Sequence, residues 1–589
     1  MAASDASVER ATPRMPRVPM TRRWGMLRPD TVLPAVLLLV TALIVVYPVG
    51  MVFYGSFKDT APGQPGALTL ANWRTVLGDA ATFRVLANSI LIALPRTVLA
   101  LALATAFAWC VARTNTPCPR LLEGLLAFMF FLPELPWVLA WMLLGAPNVG
   151  LLNQWLGAAL PGLQGTINVY SYTGLIVLGA VRSATVLFLF VHPAFLAMDA
   201  TLEEAARMAG ASARLTLWRI NLPLLMPALL ASGILSFVVA MESFELPQLL
   251  GTPARIFVFT TKIYDLAYGG HVASFGPAMV LAVLLLVLTL SLIVLQWKLL
   301  KGRAYTTISG RGYQARPIDL GPWRWVPFSF IVGFFAVFGA LPFAVLLLNS
   351  FMEISGFLSW EMLTTRHWTD ALGRTAVLTS VVDTLVVSVT SATLGIIASA
   401  LIAYVVTRTT WRGRKVLDMV AWAPWAVPGL VMSLGFLWAF VGLPIYGTLW
   451  LLVLVFVARG LPVGSRFFTA TMVQVGTELE ESARIHGGSW LRTFVRIWIP
   501  LLRPAILGAW ILLFVIAVRV LDLVVLLAGP GSRMLSVDIF LWTVTGRQEA
   551  ASVLALLQTA LVLAGYVAAR WLLGRAPRQS TLSPGTGQT

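Results

Sequence analysis

Residues 272–297 form a run of 26 residues without a charged side chain, VASFGPAMVLAVLLLVLTLSLIVLQW. About 20 consecutive apolar residues are enough for an α-helix to cross the hydrocarbon core of a bilayer. Four more uncharged runs of comparable length begin at Thr31, Trp325, Thr384 and Ala550. The chain therefore repeats one kind of element, an apolar helix long enough to span a membrane.

The composition supports the same fold class and excludes others. Of 589 residues, 58% are hydrophobic and only 11% are charged, against about 25% charged in soluble domains. The net charge of +17 comes from Lys and Arg spread among short loops, which argues against a nucleic-acid interface. Cys110, Cys118 and four scattered histidines predict no disulfide framework and no metal site. The apolar stretch from Thr31 is too long for a signal peptide and predicts an uncleaved first span.

Hydropathy predicts an all-α polytopic membrane protein with about twelve transmembrane helices in two parallel six-helix repeats. The predicted spans are 31–56, 86–112, 123–146, 173–196, 224–244, 274–297, 325–349, 380–407, 417–441, 447–466, 504–527 and 549–569. With Arg466, the last residue of the span 447–466, counted on the side of the N-terminus, 29 of the 42 Lys and Arg lie on that side and nine on the opposite side. Positive residues accumulate on the cytoplasmic side, so both termini are expected there.

An internal repeat divides the chain. A shift of 277 positions gives 13 identities in the 25 residues from Glu204. A shift of 295 aligns Trp73 with Trp368 and Arg113 with Arg408, so the first half is longer between its second and fourth helices. A parallel repeat implies a pathway between the halves. The predicted segments are a basic tail (1–30), half one (31–298), a cytoplasmic linker (299–324), half two (325–570) and a C-terminal tail (571–589).

The best-matched window is a loop between the fourth and fifth helices of each half. The copies are TLEEAARMAGASARLTLWRINLP (201–223) and TELEESARIHGGSWLRTFVRIWIP (477–500). Thr201 and Thr477 fit a capping box, and a second helix capped by serine follows a glycine in each copy. Pro223 and Pro500 are expected to end the short second helix, and Leu491, Phe494, Val495 and Trp498 to form one apolar face. Without further information, each loop could equally be a capped connector on the lipid interface.

These loops resemble the coupling loop of binding-protein-dependent ABC importer permeases, whose pattern is E-A-A, three residues, G, nine residues, I-x-L-P. The matching residues are Glu204, Ala205, Ala206, Gly210, Ile220, Leu222 and Pro223 in the first copy, and Glu481, Ser482, Ala483, Gly487, Ile497, Ile499 and Pro500 in the second. The resemblance implies that each loop inserts into a cleft of an ABC ATPase subunit, two copies in all. It also implies an extracytoplasmic substrate-binding protein and a bacterial inner-membrane location, with lipid around the spans.

The chain carries no phosphate-binding G-x-x-x-x-G-K-[ST] motif, so ATP hydrolysis is expected in the partner, and neither a catalytic residue nor a cofactor is predicted. Ionisable residues within spans usually serve a purpose. Glu242 and Glu245 match Arg519 and Asp522 by the 277 shift. We predict that they line the pathway or gate and that Glu242 pairs with Arg519. The alternative is that they sit at the interface or pair within one half.

The cargo is the least constrained property. Segments 243–264 and 529–542 resemble fused permeases of the ferric-iron type, which implies ferric iron. Relatives of that group handle thiamine, polyamines, sulfate or phosphonates, so these stay open. A secondary transporter can also have twelve spans in two halves, but it needs no paired loops and no ATPase.

Overall fold

A computed structural model describes residues 29–198, 201–269, 273–300, 317–357, 360–476, 478–487, 489–529 and 531–574. Most of the predicted N-terminal tail, most of the C-terminal tail and residues 301–316 of the predicted linker lie outside these ranges. Half one contains α1 (Pro29–Ser56), α2 (Ala71–Gly78), α3 (Ala80–Arg113), α4 (Pro119–Phe131), α5 (Glu134–Gly145), α6 (Leu151–Ala159), α7 (Tyr172–Leu196), α8 (Thr201–Met208), α9 (Ala213–Thr216), α10 (Leu222–Glu242), α11 (Phe259–Tyr264) and α12 (Phe275–Leu300).

Half two follows the same order, except that its first span is divided into two helices and no helix corresponds to α6. It contains α13 (Trp325–Phe335), α14 (Leu341–Asn349), α15 (Arg366–Gly373), α16 (Thr375–Arg408), α17 (Arg414–Trp422), α18 (Gly429–Phe440), α19 (Leu449–Gln474), α20 (Glu478–Ile485), α21 (Trp490–Thr493), α22 (Ile499–Arg519), α23 (Leu535–Val544) and α24 (Gln548–Gly574). In the described residues, ten helices are long and apolar enough to cross a membrane, and two bent helix pairs raise the number to twelve. The prediction of an all-α polytopic membrane protein is confirmed.

The third predicted span of each half is broken. α4 and α5 meet at 95°, and α17 and α18 meet at 113°. Leu132 (ψ 132°) and Val427 (ψ 118°) are extended at these breaks, and each precedes a proline, Pro133 or Pro428. The proline ring disfavours helical geometry in the residue before it. The expectation of continuous helices over 123–146 and 417–441 was therefore wrong.

The extra length of half one is also visible. Residues 146–171 separate α5 from α7 and contain α6, whereas only residues 441–448 separate α18 from α19. The difference of 18 residues equals the change in repeat shift from 295 to 277. The predicted position of the insertion, between the second and fourth helices, is confirmed.

Each half packs its first span against the broken span of the other half. α1 lies against α18, and α14 lies against α5. Tyr54 packs edge-on against Trp438 with ring centroids 6.5 Å apart, and the Trp137 indole donates a hydrogen bond to the carbonyl of Phe338 at 2.6 Å. This exchange places the two breaks in the interior, between the halves.

Candidate functional site

The two matched loops have the predicted helix–glycine–helix form. Gly210 (φ +82°) and Gly487 (φ +73°) both adopt the left-handed conformation, which favours glycine because it lacks a Cβ atom. Ser212 Oγ accepts a hydrogen bond from the Leu215 amide at 3.3 Å, and Ser489 Oγ accepts one from the Arg492 amide at 3.4 Å. The predicted glycine breaks and serine caps are confirmed. Thr477, predicted to cap the second copy, lies outside the described residues.

The short second helices do not end at the prolines. Each continues through a π-turn, Leu217–Asn221 or Phe494–Trp498, into the next span. A proline lacks the N–H and clashes with the carbonyl four residues back, and a wider turn accommodates it before Pro223 and Pro500. The wider turn also changes which side chains share a face. Val495 is exposed, whereas Phe494 and Trp498 are buried. The predicted single apolar face was wrong.

The first helix of each loop presents an apolar tip. Met208 is 90% exposed and Ile485 is 82% exposed, the two highest values among large apolar side chains in the described ranges. They occupy matched positions of the repeat, 277 residues apart. Sequence reasoning missed them, although an apolar residue at the same place in two polar helices was visible. Their recurrence at the same place in both copies makes them candidate contacts for a partner.

The residues of the resembled motif lie on the same helices as the tips. Gly210, Glu481, Ser482 and Gly487, together with Ala205, are exposed, and Glu204, Ala206 and Ala483 are half-buried. The acidic residues just before the motif, Glu203 and Glu480, are buried instead. Each helix therefore has an outward face that carries the motif and an inward carboxylate.

An arginine caps each helix break. Arg182 donates to the carbonyls of Met129 and Leu132 at 2.9 and 3.0 Å. Its repeat partner Arg459 donates to the carbonyls of Pro424 and Val427 at 2.7 and 2.8 Å. The last four carbonyls of a helix lack partners within the helix, and these charged hydrogen bonds satisfy two of them at each break. Each break is thus stabilised by an arginine on the fourth span of the same half, α7 or α19.

Glu242 and Arg519 each reach the break of the opposite half. A Glu242 carboxylate oxygen lies 3.9 Å from an Arg459 nitrogen, and Arg519 donates to the carbonyl of Phe130 at 2.6 Å. Glu245 accepts a hydrogen bond from the Leu521 amide at 3.4 Å, again across the halves. The structure thus pairs Glu242 with Arg459 and not with Arg519 as predicted. Positions related by the pseudo-two-fold axis face different partners.

A carboxylate also stands at the start of the second helix of each break. In half one it is Glu134, the first residue of α5. The matched residue in half two is Gly429, and a Cβ atom there would lie 1.9 Å from Asp522 Oδ2. Asp522 thus occupies the space that a side chain at 429 would need. Negative charge near a helix N-terminus is favourable, and the halves supply it from different residues.

These groups form one electrostatic network of four arginines and four carboxylates. Its members, linked by Coulombic interactions, are Arg96, Glu134, Arg182, Glu242, Glu245, Arg459, Arg519 and Asp522. Half one contributes two arginines and three carboxylates, and half two contributes two arginines and one carboxylate. The halves therefore carry complementary charge where they meet. In the described part of the chain no three His, Cys, Asp or Glu side chains are arranged to hold a metal ion.

Comparisons with known proteins identify relatives that align with up to 67% of the chain, although no family model matches it. The chain is 28% identical over 374 residues to the ferric transport system permease protein FbpB of Actinobacillus pleuropneumoniae, covering 62% of this chain and 53% of FbpB. It is 26% identical over 413 residues to the probable ABC transporter permease protein y4fN of Sinorhizobium fredii, covering 67% and 71%. The chain is a homologue of ABC-transporter permeases.

A shorter relative matches less than half of the chain. The putrescine transport system permease protein PotI of Escherichia coli K12 is 26% identical over 274 residues, which is 45% of this chain and 95% of PotI. Nearly all of PotI thus corresponds to less than half of this chain, as expected if the chain is a fused pair of permeases. The chain spans about half the length of the ferric permease that it matches.

Proposed function

We propose that the chain is the membrane permease of an ATP-driven importer, with the translocation pathway between its two halves. The carrying observation is the pair of matched helix–glycine–helix loops, in which the first helix presents Met208 or Ile485 to solvent. A loop that only connects two spans has no need of an exposed apolar tip at the same place in both copies. The tips fit apolar clefts on two copies of an ATPase subunit, one for each loop.

The remaining assignments follow from this proposal. ATP is hydrolysed in the partner, and the chain contributes no catalytic group. With the termini and both loops in the cytoplasm, as the Lys and Arg distribution indicates, the opposite face receives cargo from an extracytoplasmic binding protein. The location is the inner membrane of a bacterium, the organisms of the relatives being bacteria. Motif residues Glu204 and Glu481 serve as contacts to the ATPase, together with the alanine and serine positions that follow them.

Ferric iron is the cargo that we propose, because the relative FbpB is a ferric transport system permease. The polyamine putrescine is the second candidate, because the relative PotI is a putrescine transport system permease that aligns along 95% of its length with this chain. A pathway must release what it binds, so a tight metal cage within the spans is not required. Uptake of labelled iron and labelled putrescine by a deletion strain, with and without the restored chain, decides between them.

The docking proposal is tested by charging the tips. Met208→Asp and Ile485→Asp are expected to abolish co-purification of the cognate ATPase, because each places a carboxylate in an apolar cleft. Phe357→Asp is the matched control. Phe357 is 62% exposed, but it follows the C-terminal end of α14, on the side of the spans opposite to the predicted cytoplasmic loops. Unchanged association of both tip variants, at a level equal to the control, contradicts the proposal.

A further inference from the structure

A polar pocket of about 220 Å³ lies in half two, on the side of the spans opposite the matched loops. It is lined by α15, by the end of α23 and by the start of α24. These elements follow the first and fifth spans of half two, whereas the matched loop follows the fourth. None of the lining residues belongs to the charge network between the halves or to the matched loops.

The pocket collects hydrogen-bond donors that have no acceptor. Arg374, which follows α15, and Arg547, which precedes α24, both line it, and neither guanidinium has a hydrogen-bond or ion-pair partner in the described part of the chain. The Arg374 guanidinium lies over the ring of Trp542, 5.7 Å from the centroid, and a stacked guanidinium keeps the N–H groups at its edge available. His367 lines the same pocket, and its Nε2 atom is buried without a hydrogen-bond partner among the described residues.

The two carboxylates of the pocket wall are already engaged. A carboxylate oxygen of Asp370 lies 3.5 Å from the Nε atom of Arg366, and Glu549 Oε1 accepts a hydrogen bond from the Ser355 amide at 2.6 Å. The first turn of α24 also contributes to the wall, and the amides of a first turn lack partners within the helix and carry the positive end of its dipole. The groups that remain free are therefore cationic or neutral donors, which is an arrangement for an anion.

The two arginines occur in half two alone. By the shift of 295, Arg374 corresponds to Asp79, whose carboxylate accepts a hydrogen bond from the Ala81 amide and caps α3. The residue before the sixth span is Arg547 in half two and Ser274 in half one. Half one builds the same elements without these cations, so the fold does not require them.

We propose that this pocket binds a phosphate group between Arg374 and Arg547, supplied either by the headgroup of a phospholipid or by free phosphate. Guanidinium groups bind oxyanions through paired N–H bonds. A phosphate has more acceptor oxygens than a carboxylate, and it can use both guanidiniums and the amides at the start of α24 together. The pocket is smaller than the roughly 300–1,000 Å³ of sites for drug-sized ligands, which favours a phosphate group over a nucleotide.

The bound phosphate joins α15 to α24, and the inference depends neither on the cargo nor on the ATPase. Isothermal titration calorimetry of the purified full chain tests it, in a maltoside detergent and after delipidation to a phosphorus-free preparation. The titrants are sodium phosphate and dihexanoyl phosphatidylglycerol, and at least one is expected to bind with one equivalent per chain. Binding of the lipid alone assigns the site to a headgroup, whereas binding of inorganic phosphate assigns it to the free ion.

Three variants and a control locate the binding site. Arg374→Gln and Arg547→Gln are each expected to weaken binding at least about tenfold, because each removes charge-assisted hydrogen bonds. Arg374→Lys keeps the charge but loses the planar fork, and an intermediate affinity is expected. Arg74→Gln is the control, because Arg74 is exposed on α2, the helix of half one that corresponds to α15, and its affinity is expected to equal wild type.

Thermal unfolding without titrant accompanies each titration, so that loss of the site is separated from loss of the fold. Absence of binding of both titrants to the wild-type chain overturns the inference. An affinity within about twofold of wild type in either glutamine variant also overturns it, because the phosphate would then be held elsewhere.

Discussion

At Gly429 the structure predicts that one added methyl group destabilises the protein. In Gly429→Ala the new Cβ would lie 1.9 Å from Asp522 Oδ2 and 2.5 Å from its Cγ, whereas ordinary contact begins at 3.4 Å. The carboxylate must retreat by about 1.5 Å, and overpacking of a filled interior costs about 1–3 kcal/mol. Because Asp522 belongs to the charge network, the retreat also disturbs its interactions with Arg459 and Glu245.

The assay for Gly429→Ala combines thermal unfolding in detergent with uptake in proteoliposomes. Gly508→Ala is the control, because nothing lies within 4 Å of a Cβ at that position in α22. Adding Asp522→Ala to Gly429→Ala removes the clash, so the stability loss of the double variant is expected to be smaller than the sum of the single losses. If Gly429→Ala matches Gly508→Ala in both stability and uptake, the close approach of Asp522 is refuted.

Two other predictions concern the loops and the crossing between halves. Gly210→Val and Gly487→Val are expected to lower uptake at least about tenfold while the protein still reaches the membrane, because a β-branched residue disfavours positive φ. Gly442→Val serves as the control. Normal uptake by both loop variants would refute the coupling role. Glu242→Gln and Arg459→Met are expected to be coupled by about 1–3 kcal/mol in a double-mutant cycle of unfolding stability, whereas the cycle of Glu242→Gln with Arg519→Met should be closer to additive. A stronger coupling for the second pair would contradict the partner assignment.

The number and type of elements could be predicted from sequence because each span carries its own evidence. An uncharged run such as 272–297 predicts a transmembrane helix regardless of its neighbours, and the loop glycines predict positive φ from local chemistry. The breaks were also predictable in principle from Leu132-Pro133 and Val427-Pro428. They were missed because hydropathy stays high through a bent pair.

The side-chain partners could not be predicted from the repeat. Matching Glu242 with Arg519 suggested a contact, but residues related by a pseudo-two-fold axis touch only when they lie close to that axis. Here Glu242 contacts Arg459, which caps the break in half two, and Arg519 donates to the Phe130 carbonyl beside the break in half one. The hydrogen bond from the Trp498 indole to Glu480 likewise depends on the π-turn Phe494–Trp498. The periodicity of the sequence does not predict this turn.

The most direct test of the account is reconstitution of the purified chain in proteoliposomes with and without its cognate ATPase, with iron-loaded binding protein outside and ATP inside. The chain alone is expected to hydrolyse no ATP and to move no cargo. Two ATPase copies per chain should restore both activities together, with uptake unaffected when ion gradients are collapsed. Uptake that follows an imposed ion gradient and needs neither ATP nor the partner would contradict the central claim.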